Sequence, residues 1–257
     1  MERLKKLQEW SIYEFDKKYF VEPDSRHEMV IEKIRDVIKT FNPKVIVKAG
    51  LGNGRVLLDL VNELQGVTLV VVEPSLKIME NFISENAGNE KLKDVGFING
   101  DFRKLPIDYY AADLIIAIDN LDVQETAPVV DEFRRALQFD GHLFFAGIVL
   151  DDDDIDGVFD DFIRGIFPIH NDYYIKDDLK TFLNLKDFAF IKGKVESFEY
   201  DIDLMLEHVK GICGIANFNP LTFIEENKAV FTELYGMHES KIFLPYFTGL
   251  FMRRKAH

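Results

Sequence analysis

Between Val45 and Leu150, short apolar runs alternate with amphipathic stretches, and this alternation restricts the fold more than any other feature. "KVIVKAG", "VTLVVVEP", "VGFINGD", "ADLIIAID" and "HLFFAGIVL" read as strands. "GRVLLDLVNEL", "SLKIMENFISEN" and "APVVDEFRRALQ" read as the intervening helices. Strands that are apolar on both alternating faces must be covered on both sides, which is the habit of parallel sheets. Right-handed crossovers then predict a Rossmann-like, doubly wound α/β sheet. Upstream, "RHEMVIEKIRDVIKT" over 26–40 sets Met29, Ile31, Ile34, Val37 and Ile38 at helical spacing before Pro43 breaks it.

Regularity fails after Leu150. An acidic run, Asp151 to Asp154, leads into an aromatic-rich stretch and a helix near "KDDLKTFLNL". "FAFIKGKVESFEYDI" reads as a sixth strand, and "DLMLEHVKGI" and "LTFIEENKAVFTELYG" as helical. "KIFLPYFTGLFMRRK" alternates enough for a closing strand. With no repeat, low-complexity tract or Ser/Gly linker, residues 1–257 read as one domain: an N-terminal cap (1–40), a binding core (41–150), and a substrate-side insertion with closing strands (151–257).

The formal net charge of −14 works against a nucleic-acid footprint, which wants clustered Lys and Arg, and "RRK" at Arg253 to Lys255 is too short to reverse it. The single cysteine, Cys213, excludes an internal disulfide and reads as a small buried hydrophobe. The N-terminal segment lacks the apolar centre of a signal peptide, and no apolar run approaches the ~20 residues of a membrane span. A cytoplasmic protein without membrane or nucleic-acid partners is expected.

At the exit of the first strand, "VIVKAGLGNGR" carries Gly50, Gly52 and Gly54. Ligands of open parallel sheets sit at such strand ends, where glycines let a ligand approach backbone. A dinucleotide site wants G-x-G-x-x-G, whereas the spacing here is G-x-G-x-G, and Arg55 fills the position of the last dinucleotide glycine. Glu73, at the end of the second strand, can accept from ribose hydroxyls, or can simply be an acid at a helix start. Asp101 and Phe102 follow the third strand; they can hold and stack a purine, or be turn chemistry and a core aromatic.

In order and interval, "VIVKAGLGNGR", "VVVEPSLKIME", "INGDFRKLP", "ADLIIAIDNLD" and "RRALQFDGHLFFAGI" resemble the class I S-adenosylmethionine-dependent methyltransferases over about residues 40–150. The resemblance implies S-adenosyl-L-methionine as cofactor and a seven-stranded, mostly parallel sheet with an antiparallel last strand. It also implies that Gly50, Gly52 and Gly54 embrace the methionine part, that Glu73 holds the ribose, and that Asp101 and Phe102 hold the adenine. Residues from Ala117 to Asn120 would line the transfer site. One position departs: the family has an acid two residues before the first glycine, and this chain has Lys48. At 4 Å from another cation a lysine would repel by ~4 kcal/mol in an effective dielectric near 20. Lys48 is open to four roles: contact with the cofactor carboxylate, binding of an anionic substrate, deprotonation by burial, or loss of cofactor binding.

Candidate bases are Asp119, at the end of the fourth strand, and His170 in "FPIHNDYY", which reads alternatively as a surface loop histidine. Tyr173 and Tyr174 either line a substrate wall or pack beneath a loop, and His142 opens the fifth strand as a structural residue. The aspartate run with Asp119 and Asn120 raises Mg²⁺, but such a run reads as a solvated loop, and no metal is expected. Trp10, Tyr13, Phe15, Tyr19 and Phe20 form either a lid or plain core. The expected function is methyl transfer to a small molecule. A non-catalytic nucleoside- or partner-binding relative is the alternative, with tRNA or protein methylation and a dinucleotide oxidoreductase behind it.

Overall fold

The computed structural model describes residues 22–167, 170–212 and 218–255. The first helix, α1 (Asp24–Phe41), ends where Asn42 takes a left-handed conformation ahead of Pro43, and β1 (Val45–Ala49) follows. Then come α2 (Arg55–Glu63), β2 (Thr68–Glu73), α3 (Leu76–Glu85), β3 (Val95–Asn99), β4 (Ala112–Ile118), α4 (Thr126–Ala136) and β5 (Leu137–Ile148). Single turns of 3-10 helix precede β3 and form residues Phe102–Lys104. The second half holds α5 (Val158–Ile166), α6 (Lys176–Leu185), β6 (Phe188–Asp201), α7 (Ile202–Ile212), α8 (Pro220–Glu226), α9 (Lys228–Glu233) and β7 (Lys241–Arg253).

The seven strands form one sheet in the order β3-β2-β1-β4-β5-β7-β6. The first five are parallel, and β7 runs antiparallel to both β5 and β6, as the resemblance implied. Two differences from the sequence reading concern β5 and α5. β5 begins at Leu137, so His142 lies within it rather than at its start, its ring 3.9 Å from that of Phe41. Helix α5 falls in the stretch where no helix was expected.

Each sheet face has its own core. Val30, Ile31, Ile34 and Val37 of α1 and Leu57 and Leu60 of α2 cover Ile46, Val71 and Ile116. Val129 and Phe133 of α4, with Leu179 and Leu183 of α6, cover Val47, Ala49, Val72 and Ala117 on the other. A third cluster, including Phe159, Phe162, Leu206, Phe231, Tyr235, Ile242 and Leu244, builds a cap at the carboxyl end of β5. The period of two along β1 matters for the site: with Val47 and Ala49 facing α4, Ile46 and Lys48 must face α1. No helix among the described residues is long and apolar enough to cross a membrane.

Candidate functional site

The three glycines of the β1–α2 loop all have positive φ, 75° at Gly50, 60° at Gly52 and 78° at Gly54, a region that side-chain-bearing residues rarely adopt. They do different work. Gly54 caps α2, and a Cβ there would run into the ring of Phe82, so it is required by packing. A Cβ on Gly52 would meet nothing, because Gly52 borders an open crevice.

That crevice, about 150 Å³, lies at the carboxyl ends of β1, β2 and β4, where the strand order reverses about β1. Its walls include Gly50, Gly52, Asn53, Glu73, Ser75, Ile78, Phe102 and Asp119. Glu73 is already oriented: its Oε2 accepts from the Leu51 amide at 2.7 Å and its Oε1 from the Ser75 amide at 2.9 Å. Each oxygen keeps a second lone pair for a ligand. Burial pushes the Glu73 carboxyl up, opposed by those two amides and by Lys48.

Lys48 is 3% exposed and donates to the carbonyls of Gly50 and Leu51, so its ammonium folds back against the glycine loop. Burial lowers its pKa to about 8, against the pull of Glu73, Glu22 and Asp119. The acid missing at position 48 has a neighbour in Glu22. Its Oε1 pairs with Arg26 at 3.2 Å, its Oε2 accepts from Asn53 Nδ2 at 2.7 Å, and it borders the crevice.

Arg26 is the hub of the far wall. It contacts Asp119 Oδ2 at 3.1 Å, donates to the Tyr200 hydroxyl at 3.1 Å, and lies 4.7 Å from the Tyr246 ring centroid. Burial opposes its charge, yet Asp119 and Glu22 hold it firmly protonated. Asp119 sits at φ 47° just beyond β4, and burial pushes its carboxyl up to about 6 in spite of Arg26. Asp119 and Asn120 also border a smaller recess, about 20 Å³, with Asp122, Asp172, Tyr173 and Tyr174.

Two buried amides at this end are incomplete. Asn120 donates to the Ala49 carbonyl at 3.0 Å, but its Oδ1 has no partner, and neither Nε2 nor Oε1 of Gln124 has one. Both residues border the crevice.

Among the expected cofactor residues, Gly50, Gly52, Glu73 and Phe102 come together in the crevice. Three lie apart from it. Gly54 is under Phe82, and Ala117 is enclosed in the α4-side core because the period of β4 turns it away. Asp101 points its carboxylate at Arg103, which binds it at 2.9 Å and 3.2 Å and also donates its amide. His170 is neither at the surface nor in the crevice: it is buried, with Nε2 2.6 Å from Asp160 Oδ1, and braces the 170–173 loop. The aspartate run holds no solvated Asp154, which is buried and accepts from the Val158 and Phe159 amides and the Tyr235 hydroxyl, tying α5 to the cap. Trp10, Tyr13, Phe15, Tyr19, Phe20 and Cys213 lie outside the described residues. The residues that sequence reasoning missed are Glu22, Arg26 and Gln124. Arg26 had a signal, since it continues the apolar stripe of Val30, Ile34 and Val37.

Comparison with known proteins bears on the fold. Residues 46–141 match the family model described as "Methyltransferase domain". No curated protein matches the sequence. Among solved structures, a Bacillus halodurans C-125 protein assigned as a methyltransferase aligns over 88% of this chain and 99% of its own, with TM-score 0.73 and 14% identity. The YcgJ protein of Bacillus subtilis aligns over 90% and 100%, with TM-score 0.67 and 16% identity. Geranyl diphosphate methyltransferase, solved with GPP and sinefungin, aligns over 82% and 72%, with TM-score 0.56 and 12% identity. At these identities the likeness is one of fold. Residues 46–141 thus resemble a methyltransferase domain, and the sheet order with its antiparallel closing strand gives the chain the fold of these methyltransferase structures.

Proposed function

We propose that this protein is an S-adenosylmethionine-dependent methyltransferase acting on a small-molecule acceptor. The observation that carries the reading is the convergence, in one crevice, of the open Gly52 turn, the oriented Glu73 carboxylate, and the residues Asn120, with its unpartnered Oδ1, and Gln124, with its unpartnered carboxamide. The residues fit a nucleoside cofactor. Glu73 has lone pairs for two ribose hydroxyls, Phe102 offers an aromatic surface to a base, and Gly52 leaves room beside the backbone. When bound, S-adenosylmethionine supplies an activated methyl group on a sulfonium.

The chain's own contribution is alignment, exclusion of water and management of one proton. Fixing two reactants in line can contribute about 7–11 kcal/mol, so no covalent residue is needed. Asp119 borders both the crevice and the recess, and with a pKa near 6 it is mostly ionised at neutral pH, able to take a proton from an acceptor hydroxyl or amine. Arg26 fixes its orientation. The small recess, with its tyrosines and carboxylates, and the acidic net charge favour a small molecule over nucleic acid.

Calorimetry with S-adenosylmethionine, S-adenosylhomocysteine and NAD tests the reading. Binding of both sulfur ligands is expected, with E73A weakening S-adenosylhomocysteine by about tenfold or more, or ~1.4 kcal/mol. Binding of neither would turn the assignment to a non-catalytic role, and binding of NAD alone to a dinucleotide enzyme.

A further inference from the structure

Gln124 stands in the turn between β4 and α4, 3% exposed, with its whole carboxamide unpartnered. A buried donor and acceptor left unpaired are unfavourable, so a side chain kept in this state is matched to something that arrives later. Its surroundings narrow what that is. Gln124 borders the crevice together with Phe102, Ser75 and Ile78. Helix α4, which begins just after it, is clamped to the turn following Phe102, where Leu105 donates to Glu132 at 2.8 Å and accepts from Arg135 at 2.7 Å. Gln124 and the aromatic Phe102 therefore line one crevice.

A carboxamide presents an acceptor and a donor side by side in one plane. An adenine edge presents the complement, an exocyclic N–H beside a ring nitrogen, and Gln is among the residues that bind it in two-pronged fashion. The residue expected to meet the amine, Asp101, is occupied by Arg103 and does not border the crevice. We propose that Gln124 reads the base of the nucleoside cofactor, accepting from the 6-amino group at Oε1 and donating from Nε2 to the adjacent ring nitrogen. This rests on the reading of the crevice as a nucleoside-cofactor site, and it makes Gln124 the residue that selects a 6-aminopurine.

The experiment is calorimetry on the full chain with S-adenosylhomocysteine and its 6-deamino purine counterpart, using wild type, Q124L and D101N. Wild type is expected to prefer the amino compound by about tenfold or more, Q124L to lose most of that preference, and D101N to keep it. Thermal melting of the ligand-free proteins adds a second readout: Q124L is expected to melt at or above wild type, since it removes unpaired buried groups. A preference unchanged in Q124L, or lost in D101N instead, overturns the proposal while leaving the cofactor reading standing. A Q124L protein that melts well below wild type overturns its premise. If wild type binds neither compound, the cofactor reading fails, and this proposal with it.

Discussion

Arg26 Nη2 lies 3.1 Å from Asp119 Oδ2, an ion pair that joins the first turn of α1 to the end of β4 across the crevice. Arg26 is buried while Asp119 keeps 27% of its side chain exposed, and Arg26 also serves Glu22 and Tyr200. Removing the buried arginine leaves Glu22 and Asp119 without their counter-charge, which costs about 3 kcal/mol, the low end for a buried pair because Asp119 is partly exposed. R26A is therefore expected to lower urea stability by that amount, and R26A/D119A by less than the sum of the single variants. Additive losses would mean that the two side chains act independently.

With S-adenosylmethionine as the proposed cofactor, the position of Lys48 predicts that its binding depends on pH. Its proton leaves at about 8 rather than near 10.5, because burial disfavours the charge. A cationic ligand is repelled below that point and not above it. Affinity for S-adenosylmethionine is expected to rise through pH 8, less so for S-adenosylhomocysteine, which lacks the sulfonium, and K48M is expected to flatten the rise. The linkage has a definite sign: between about 8 and 10.5 the unfolded chain binds more protons than the folded one, so this group makes the fold more stable as pH climbs through that window. Calorimetry across pH 6.5–9 (about neutral to mildly basic) checks the first point. Denaturant titration checks the second.

The glycines should separate into two classes. G54A meets both a positive φ and the Phe82 ring, and is expected to lose about 2–4 kcal/mol of stability. G52A meets only the φ and should lose about 1–2 kcal/mol, yet it places a methyl group at the crevice and should weaken the cofactor more than its stability loss explains. Paired urea and binding measurements decide this; equal behaviour of the two variants counts against the crevice.

Within the aspartate run, only one member should matter greatly for folding. D154A removes acceptors for two amides of α5 and for Tyr235, and is expected to cost about 2 kcal/mol or more. D152A loses one exposed contact with Lys176, at 3.2 Å, and is expected to change stability by about 0.5 kcal/mol or less. Thermal melting of the two variants compares them directly.

The parallel sheet was legible because its strands are buried on both faces, so apolarity marks them without help from neighbours. That Gly52 and Glu73 would meet at one crevice was legible because each follows or ends one of two adjacent parallel strands. Helix α5 is hard to see in the sequence because Asp160, Asp161 and Arg164 interrupt its apolar pattern, and Asp160 is buried by contacts with His170 and the Tyr173 amide, ten and thirteen residues away. Ala117 was misplaced by one step of the strand period, which decides between crevice and core. Asp101 was assigned to a ligand although Arg103, two residues on, was available to take it. Gln124 carries no mark in the sequence, since its lack of partners is a property of the packed molecule.

In the sheet, β7 lies between β5 and β6, although it is synthesised after both. Until residues 241–253 have emerged, the β5 edge has nothing to pair with, and β6 has no route into the sheet. The cap is equally delayed, because Ile242 and Leu244 belong to its core. A nascent chain arrested before that point carries a half-built sheet with one sticky margin, the kind of species that chaperones hold and that neighbouring chains can capture. Insertion of this late strand is the step that joins β6 to the parallel strands and completes the cap.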